Sequence, residues 1–242
     1  MVRDNKMFKC VQDVHSQAYF DHVVEEAARR GMQVNDQKAG LLCFSAAISF
    51  EAEAALDVRQ GGRITSSKSL KVLGFTFDAD IGCSSHIDQV AAKLRSRTWA
   101  LIKLKRYGFS CEELVGIYTT YMRPIAEYVS VAWHSMLSAE QSAYLEKQQT
   151  QALRHIYGHG PSAAKMRRSA GIDLLHTRRE NSCRIFAKKA VCNPKFSRWF
   201  QLRRPSPYEK RSNREKYIEP TARTDRYRKS PLNHLRRILN SE

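Results

Sequence analysis

Arg95, Trp99, Lys103 and Arg106 are the residues whose types and spacing first suggest chemistry. At about 100° per residue they fall together along one flank of a helix, with Lys93 and Arg97 on the other flank. Cationic side chains neutralise phosphates, and an aromatic face stacks on a base, so basic residues interleaved with an aromatic suit a helix lying along a nucleic-acid backbone. The plainer alternative is a solvated face with Trp99 half-buried at its edge. Further basic pairs follow at Arg167-Arg168, Arg178-Arg179 and Lys188-Lys189.

The charge distribution favours the first reading. Residues 1–90 carry 10 Lys+Arg against 12 Asp+Glu, whereas residues 91–242 carry 31 against 12. A surplus of +19 confined to one region is the electrostatic footprint of a phosphate-backbone partner, although a solubilising face or an acidic protein partner would also use it. The chain is 42% apolar and 27% charged, enough to bury a core, which sets it apart from disordered polypeptides. No apolar run approaches the roughly 18 residues of a membrane span, and no signal-peptide core is present. Six cysteines occur without a C-x-x-C pair and read as reduced, mostly buried thiols of an intracellular protein of the nucleus or cytoplasm. His176, Cys183 and Cys192 form only a weak zinc pattern, so the expectation is no metal site.

These residues need elements to position them. Ser84 or Ser85 can cap a helix from about His86 to Arg106, stopped by Gly108, with Ile87, Val90, Ala91, Leu94, Thr98 and Leu101 on its buried stripe. Ser110 with Glu113, and Ser138 with Gln141, form capping boxes that open two more helices. Leu114, Ile117, Tyr118 and Tyr121 share the inner face of the first, Pro124 is expected to kink or break it, and Ile125, Tyr128, Val129 and Ala132 resume the pattern. The second carries Tyr144, Leu145, Gln148, Ala152 and Ile156 to a stop at Gly158, and the tyrosines read as core. Upstream, residues 1–11 read as a short strand and turn. Phe20, Val23, Val24, Ala27 and Ala28 read as a helix ended by Gly31. Leu41–Phe44, Leu56–Arg59 with a turn at Gly61-Gly62, and Leu70–Phe77 read as strands. From Lys165 onward there are 22 Lys+Arg against 7 Asp+Glu. There Tyr208, Tyr217 and Tyr227 alternate with basic residues in what reads either as a tail that orders on RNA or DNA or as a solvated extension.

Several runs together resemble the late palm and thumb of non-LTR (LINE-type) retrotransposon reverse transcriptases. They are Arg30-Gly31-Met32-Gln33-Val34-Asn35 with Lys38, Leu41-Leu42-Cys43-Phe44-Ser45, and Ser69-Leu70-Lys71-Val72-Leu73-Gly74-Phe75. Ile117–Thr120, Arg123–Tyr128, Gln148–Leu153 and Leu174-Leu175-His176 with Arg178-Arg179 continue the resemblance. Ala222–Arg226 and Arg236–Asn240 extend it more weakly. It implies an α+β fold: a partial palm over residues 1–82 (a helix on a small antiparallel sheet), a helical-bundle thumb over 83–160, and a basic, largely helical region over 161–242.

The same resemblance implies specific roles. The family's metal-binding acidic pair matches Arg3 and Asp4, with Arg3 where a carboxylate is expected, and the other catalytic carboxylate would lie upstream. Two-metal phosphoryl transfer needs converging carboxylates, so Asp4 is at best a vestigial ligand, and the Mg²⁺ of the intact family has no complete donor set here. Lys38 matches a lysine that protonates the leaving pyrophosphate, here a vestigial general acid. Leu73 and Gly74 match the hairpin that grips the primer backbone, where a glycine permits close approach. The expected function is primer–template binding, to RNA or DNA, through Leu73, Gly74, Arg95, Trp99, Lys103, Arg106, Arg167, Arg168, Arg178 and Arg179, without polymerisation by this chain alone. Two alternatives are an inert relic and a polymerase whose missing palm half is supplied upstream or in trans.

Overall fold

The computed structural model describes residues 5–35 (side chains from 17), 38–43, 55–58, 62–203 and 216–241. The chain divides into two compact units, Met1–Ser85 and His86–Glu242. Among the described residues the fold is α+β, helices with two small antiparallel sheets.

In the first unit, helix α1 spans Asn5–Arg29, so residues 5–11 are helical rather than the expected strand. No Gly or Pro interrupts Asn5–Arg30, and extending a helix costs far less than starting one. Gly31 ends it at φ 71°, with Met32 N–H donating to the Ala27 carbonyl and Gly31 N–H to that of Ala28, the Schellman pattern. Strands β1 (Ala55–Asp57) and β2 (Arg63–Thr65) pair antiparallel. The Gln17 side chain serves as a third strand for β1: its amide donates to the Asp57 carbonyl (3.0 Å) and accepts from the Asp57 N–H (2.8 Å). At Leu41 the expected strand is only an isolated bridge to Ser66; its continuation at Phe44 lies outside the described residues.

The expected strand Leu70–Phe77 is instead a hairpin of β3 (Ser69–Val72) and β4 (Phe75–Asp78), in register Val72 to Phe75. Leu73 and Gly74 turn it at φ 49° and 86°. Positive φ at both central residues marks a type I′ turn, whose twist matches that of paired strands. The glycine therefore sits in the turn, not within a strand. Phe75 and Thr76 are buried. Asp78, at the end of β4, accepts a hydrogen bond from Ser85 N–H (3.0 Å). A carboxylate from outside the helix thus satisfies one of the free donors at its first turn.

Helix α2 (Ser84–Arg106) leads into the second unit, with Ile87, Val90, Ala91, Leu94 and Leu101 buried as the spacing predicts and Thr98 half-buried. Both capping boxes are present, Ser110 with Glu113 opening α3 (Cys111–Ile117) and Ser138 with Gln141 opening α6 (Ala139–Tyr157). Pro124 does not break the helix after α3. A π-helical turn over Tyr118–Met122 passes directly into α4 (Arg123–Glu127), and the chain bends only at Val129, φ 51°. The extra residue of a π turn advances the inner face by about 100°. Core positions therefore run Leu114, Tyr118, Met122, Ala126 and Ser130, while Tyr121 and Tyr128, expected inside, are exposed.

The remaining elements are α5 (Ser130–Trp133), a 3₁₀ turn at His134–Met136, α7 (Ala163–Ala170), α8 (Leu175–Val191), α9 (Pro194–Ser197), α10 (Asp225–Arg228) and α11 (Pro231–Ser241). Cys183, Ala187 and Ala190 of α8 bury with Phe200 and with Leu235 and Ile238 of α11. The described C-terminal residues therefore pack into a core instead of forming a solvated extension. The Arg203–Asn213 segment, Tyr208 included, lies almost wholly outside the described residues.

Candidate nucleic-acid interface

The outer flank of α2 presents Arg95, Trp99, Lys103 and Arg106, all exposed. Trp99 is 59% exposed, and the Lys103 Nζ lies 3.6 Å from its ring centroid, a cation–π contact. Arg95 is steadied by a hydrogen bond from its guanidinium to the Tyr144 hydroxyl on α6. Lys93 and Arg97 are also exposed. This geometry offers an aromatic face with a cation already against it and further guanidinium groups along the same flank. Lys105, one residue away, is engaged elsewhere: its Nζ donates to the carbonyls of His155 (2.9 Å) and Ile156 (2.7 Å), closing the C-terminus of α6 with a positive charge.

Other expected contacts take different places. Arg168 is exposed and Arg167 half-buried at the end of α7, where their carbonyls accept from Gly171 and Ile172 N–H. Arg178 is bidentate on Glu127, and that hydrogen bond holds its pKa above the ordinary arginine value. Arg179 is fully buried and cannot reach a phosphate on the surface. Burial lowers its pKa, with Glu146 and Glu127 opposing. Its guanidinium carbon lies 5.4 Å from the Trp133 ring, and neither Nη atom has a hydrogen-bond partner among the described residues.

In the first unit, Leu73 is 88% exposed at the hairpin tip with Gly74 beside it. Lys38 is exposed, its N–H donating to the Asn35 carbonyl. Asp4 and Arg3 lie outside the described residues. Of the described cysteines, Cys83 and Cys183 are buried, with burial pushing their thiols up to about 11 and about 12, but Cys111 and Cys192 are exposed. The expectation of mostly buried thiols therefore holds for only some of them.

Sequence reasoning missed a cluster around α8. Glu180 Oε2 lies 3.0 Å from Nε2 of both His134 and His234, and the His176 ring centroid is 4.9 Å from that of His134. Burial, then the charge of Arg179, pulls His134 down to about 4, while its two histidine partners and their hydrogen bonds hold Glu180 below the usual carboxylate range against its own burial. Glu146 accepts from the N–H groups of Leu175 (3.2 Å) and His176 (2.7 Å), capping α8 from α6. The only local signal was His176 and Glu180 four residues apart on one helix. The other two histidines arrive from distant segments. No helix among the described residues is long and apolar enough to cross a membrane. No protein-family model, curated protein or solved structure matches the chain.

Proposed function

We propose that this chain is a palm–thumb remnant of a LINE-type reverse transcriptase that binds primer–template nucleic acid and does not polymerise on its own. The observation that carries the binding is the outer flank of α2, where Arg95, Trp99, Lys103 and Arg106 stay exposed while the opposite stripe is buried. Trp99 is 59% exposed on that flank with Lys103 against its ring, and a flat, accessible aromatic face is what a base stacks on. The hairpin tip supports the same reading. Leu73 is held at positive φ, a conformation that suits Asn or Gly and costs leucine about 1–2 kcal/mol, and it remains exposed there. A strained, exposed apolar residue beside a glycine suits close contact with another backbone. The catalytic donor set does not fit: Arg3-Asp4-Asn5 offers one carboxylate beside a fixed positive charge.

Titration of the purified chain with a labelled RNA–DNA primer–template at several salt concentrations tests the reading. Affinity falling steeply and linearly in log–log form is the expected result, with no primer extension on addition of Mg²⁺ and dNTPs. Absence of binding at low salt would favour an inert relic, and template-dependent extension would show an active polymerase.

A further inference from the structure

Beside the 3₁₀ turn a cavity of about 530 Å³ is lined by His134, Glu180, His234 and His176 among others. Nε2 of His134 and Nε2 of His234 each approach the same Glu180 oxygen at 3.0 Å, and the three donor atoms all lie within 4.8 Å of one another. We propose that His134, Glu180 and His234 bind a divalent transition metal ion of the zinc class. Two imidazoles and one carboxylate form a borderline donor set that suits Zn²⁺ over Mg²⁺ or Ca²⁺. With bonds of about 2.0–2.1 Å, ligand atoms around a tetrahedral ion sit about 3.3 Å apart. Two of the three separations therefore need to open by only a few tenths of an ångström.

Three protein donors leave a fourth position, and here the cavity supplies room for a water or for His176. Glu146 fixes His176 by its backbone N–H, so that side chain starts from a set place on the cavity wall. One contact opposes the ion. Arg179 Nε donates toward Nδ1 of His134 at 3.4 Å, and ligation through Nε2 moves the imidazole proton to Nδ1. The contact is long at 3.4 Å, but Arg179 is buried and neither Nη atom has a partner among the described residues, so its displacement is a cost that lowers the affinity of the site. Lys229 and Arg237 also line the cavity; they weaken affinity for a bare cation and favour an anionic fourth ligand. The ion would staple the 3₁₀ turn and α11 onto α8, joining segments far apart in sequence, so that binding and folding of this unit are coupled. This inference does not depend on the nucleic-acid reading.

The test uses the full chain stripped of metal and titrated calorimetrically with Zn²⁺, and with Co²⁺ as a spectroscopic probe. One equivalent taken up by the wild type and by Cys111→Ser/Cys192→Ser, and lost in Glu180→Gln and His234→Ala, is the expected result. X-ray absorption at the zinc edge of the wild type gives an answer that does not require any variant to fold, with only nitrogen and oxygen neighbours expected. No uptake by the wild type, uptake undiminished in Glu180→Gln and His234→Ala, or sulfur in the zinc shell would each overturn the assignment.

Discussion

Arginine does opposite work on the outside of α2 and around α8. On α2, the flank of Arg95, Lys103 and Arg106 remains exposed, with Trp99 set among the charges. Around α8, Arg178 is locked to Glu127 and Arg179 is buried against Trp133 and His134. On α11, Arg236 donates twice to the Trp199 carbonyl and Arg237 reaches the Arg228 carbonyl. The first set stays exposed, although Arg95 also bonds Tyr144 of α6, whereas the second is taken up in ties between and within helices. A basic surplus in a sequence therefore overstates the basic surface, because a guanidinium carries five donors and can serve as a strut as readily as a phosphate contact.

The contrast can be broken most forcefully at Arg179. Arg179→Ala should destabilise the chain by about 2–4 kcal/mol in denaturant unfolding through the cavity it leaves. Arg179→Met, which keeps volume and removes a buried charge whose Nη atoms have no partner among the described residues, should cost less than about 1.5 kcal/mol. If the alanine variant folds and selectively loses primer–template binding, the division between struts and contacts fails.

Acid should act on the same side of the comparison. His134 sits at about 4 in the folded chain against an ordinary 6.5. The unfolded chain thus takes up that proton first, and stability falls as pH drops through this window. The lowered Glu180 adds a loss at still lower pH, as its carboxylate is protonated. Urea midpoints of the metal-free protein at pH 7 and pH 5 should show the decline, and His234, on α11, and His176, on α8, face the same carboxylate–imidazole cluster. A flat profile would mean that His134 is no more buried in solution than an ordinary surface histidine.

On the α2 side the expected changes appear in binding and not in stability. Arg95→Gln with Lys103→Gln should lower the slope of log affinity against log salt by about 2, with stability changed by less than about 0.5 kcal/mol. Trp99→Ala should cost about 1–3 kcal/mol of binding if a base stacks there, measured with the same labelled duplex. An unchanged affinity in both variants would assign α2's flank to solvent. The smallest effect belongs to the hairpin: Leu73→Asn should raise stability by about 1 kcal/mol by relieving the positive φ, while weakening duplex binding. A stability gain with intact binding would leave the strained leucine without a role in contact.

Helix existence and boundaries were largely legible because their signals are local. The capping boxes at Ser110 and Ser138, the stops at Gly31, Gly108 and Gly158, and the buried stripe of α2 all depend on residues a few positions apart. The face after Thr120 was not legible. A single π turn shifts the phase by one residue and exchanges Tyr121 for Met122 at the core. The strand misread at Gly74 has a related cause, since period-two alternation continues across a two-residue turn and hides it.

What the sequence determined by itself was the charge asymmetry, the helical character of the second unit and the grouping of Arg95, Trp99, Lys103 and Arg106 on one flank. Each follows from composition or from a fixed 3.6-residue period. Tertiary structure alone decided which arginines face solvent, and it alone brought His134, Glu180 and His234 to one point. The reason is physical: burial and convergence depend on which helices pack together, and residues 46 and 54 positions apart carry no local record of their meeting.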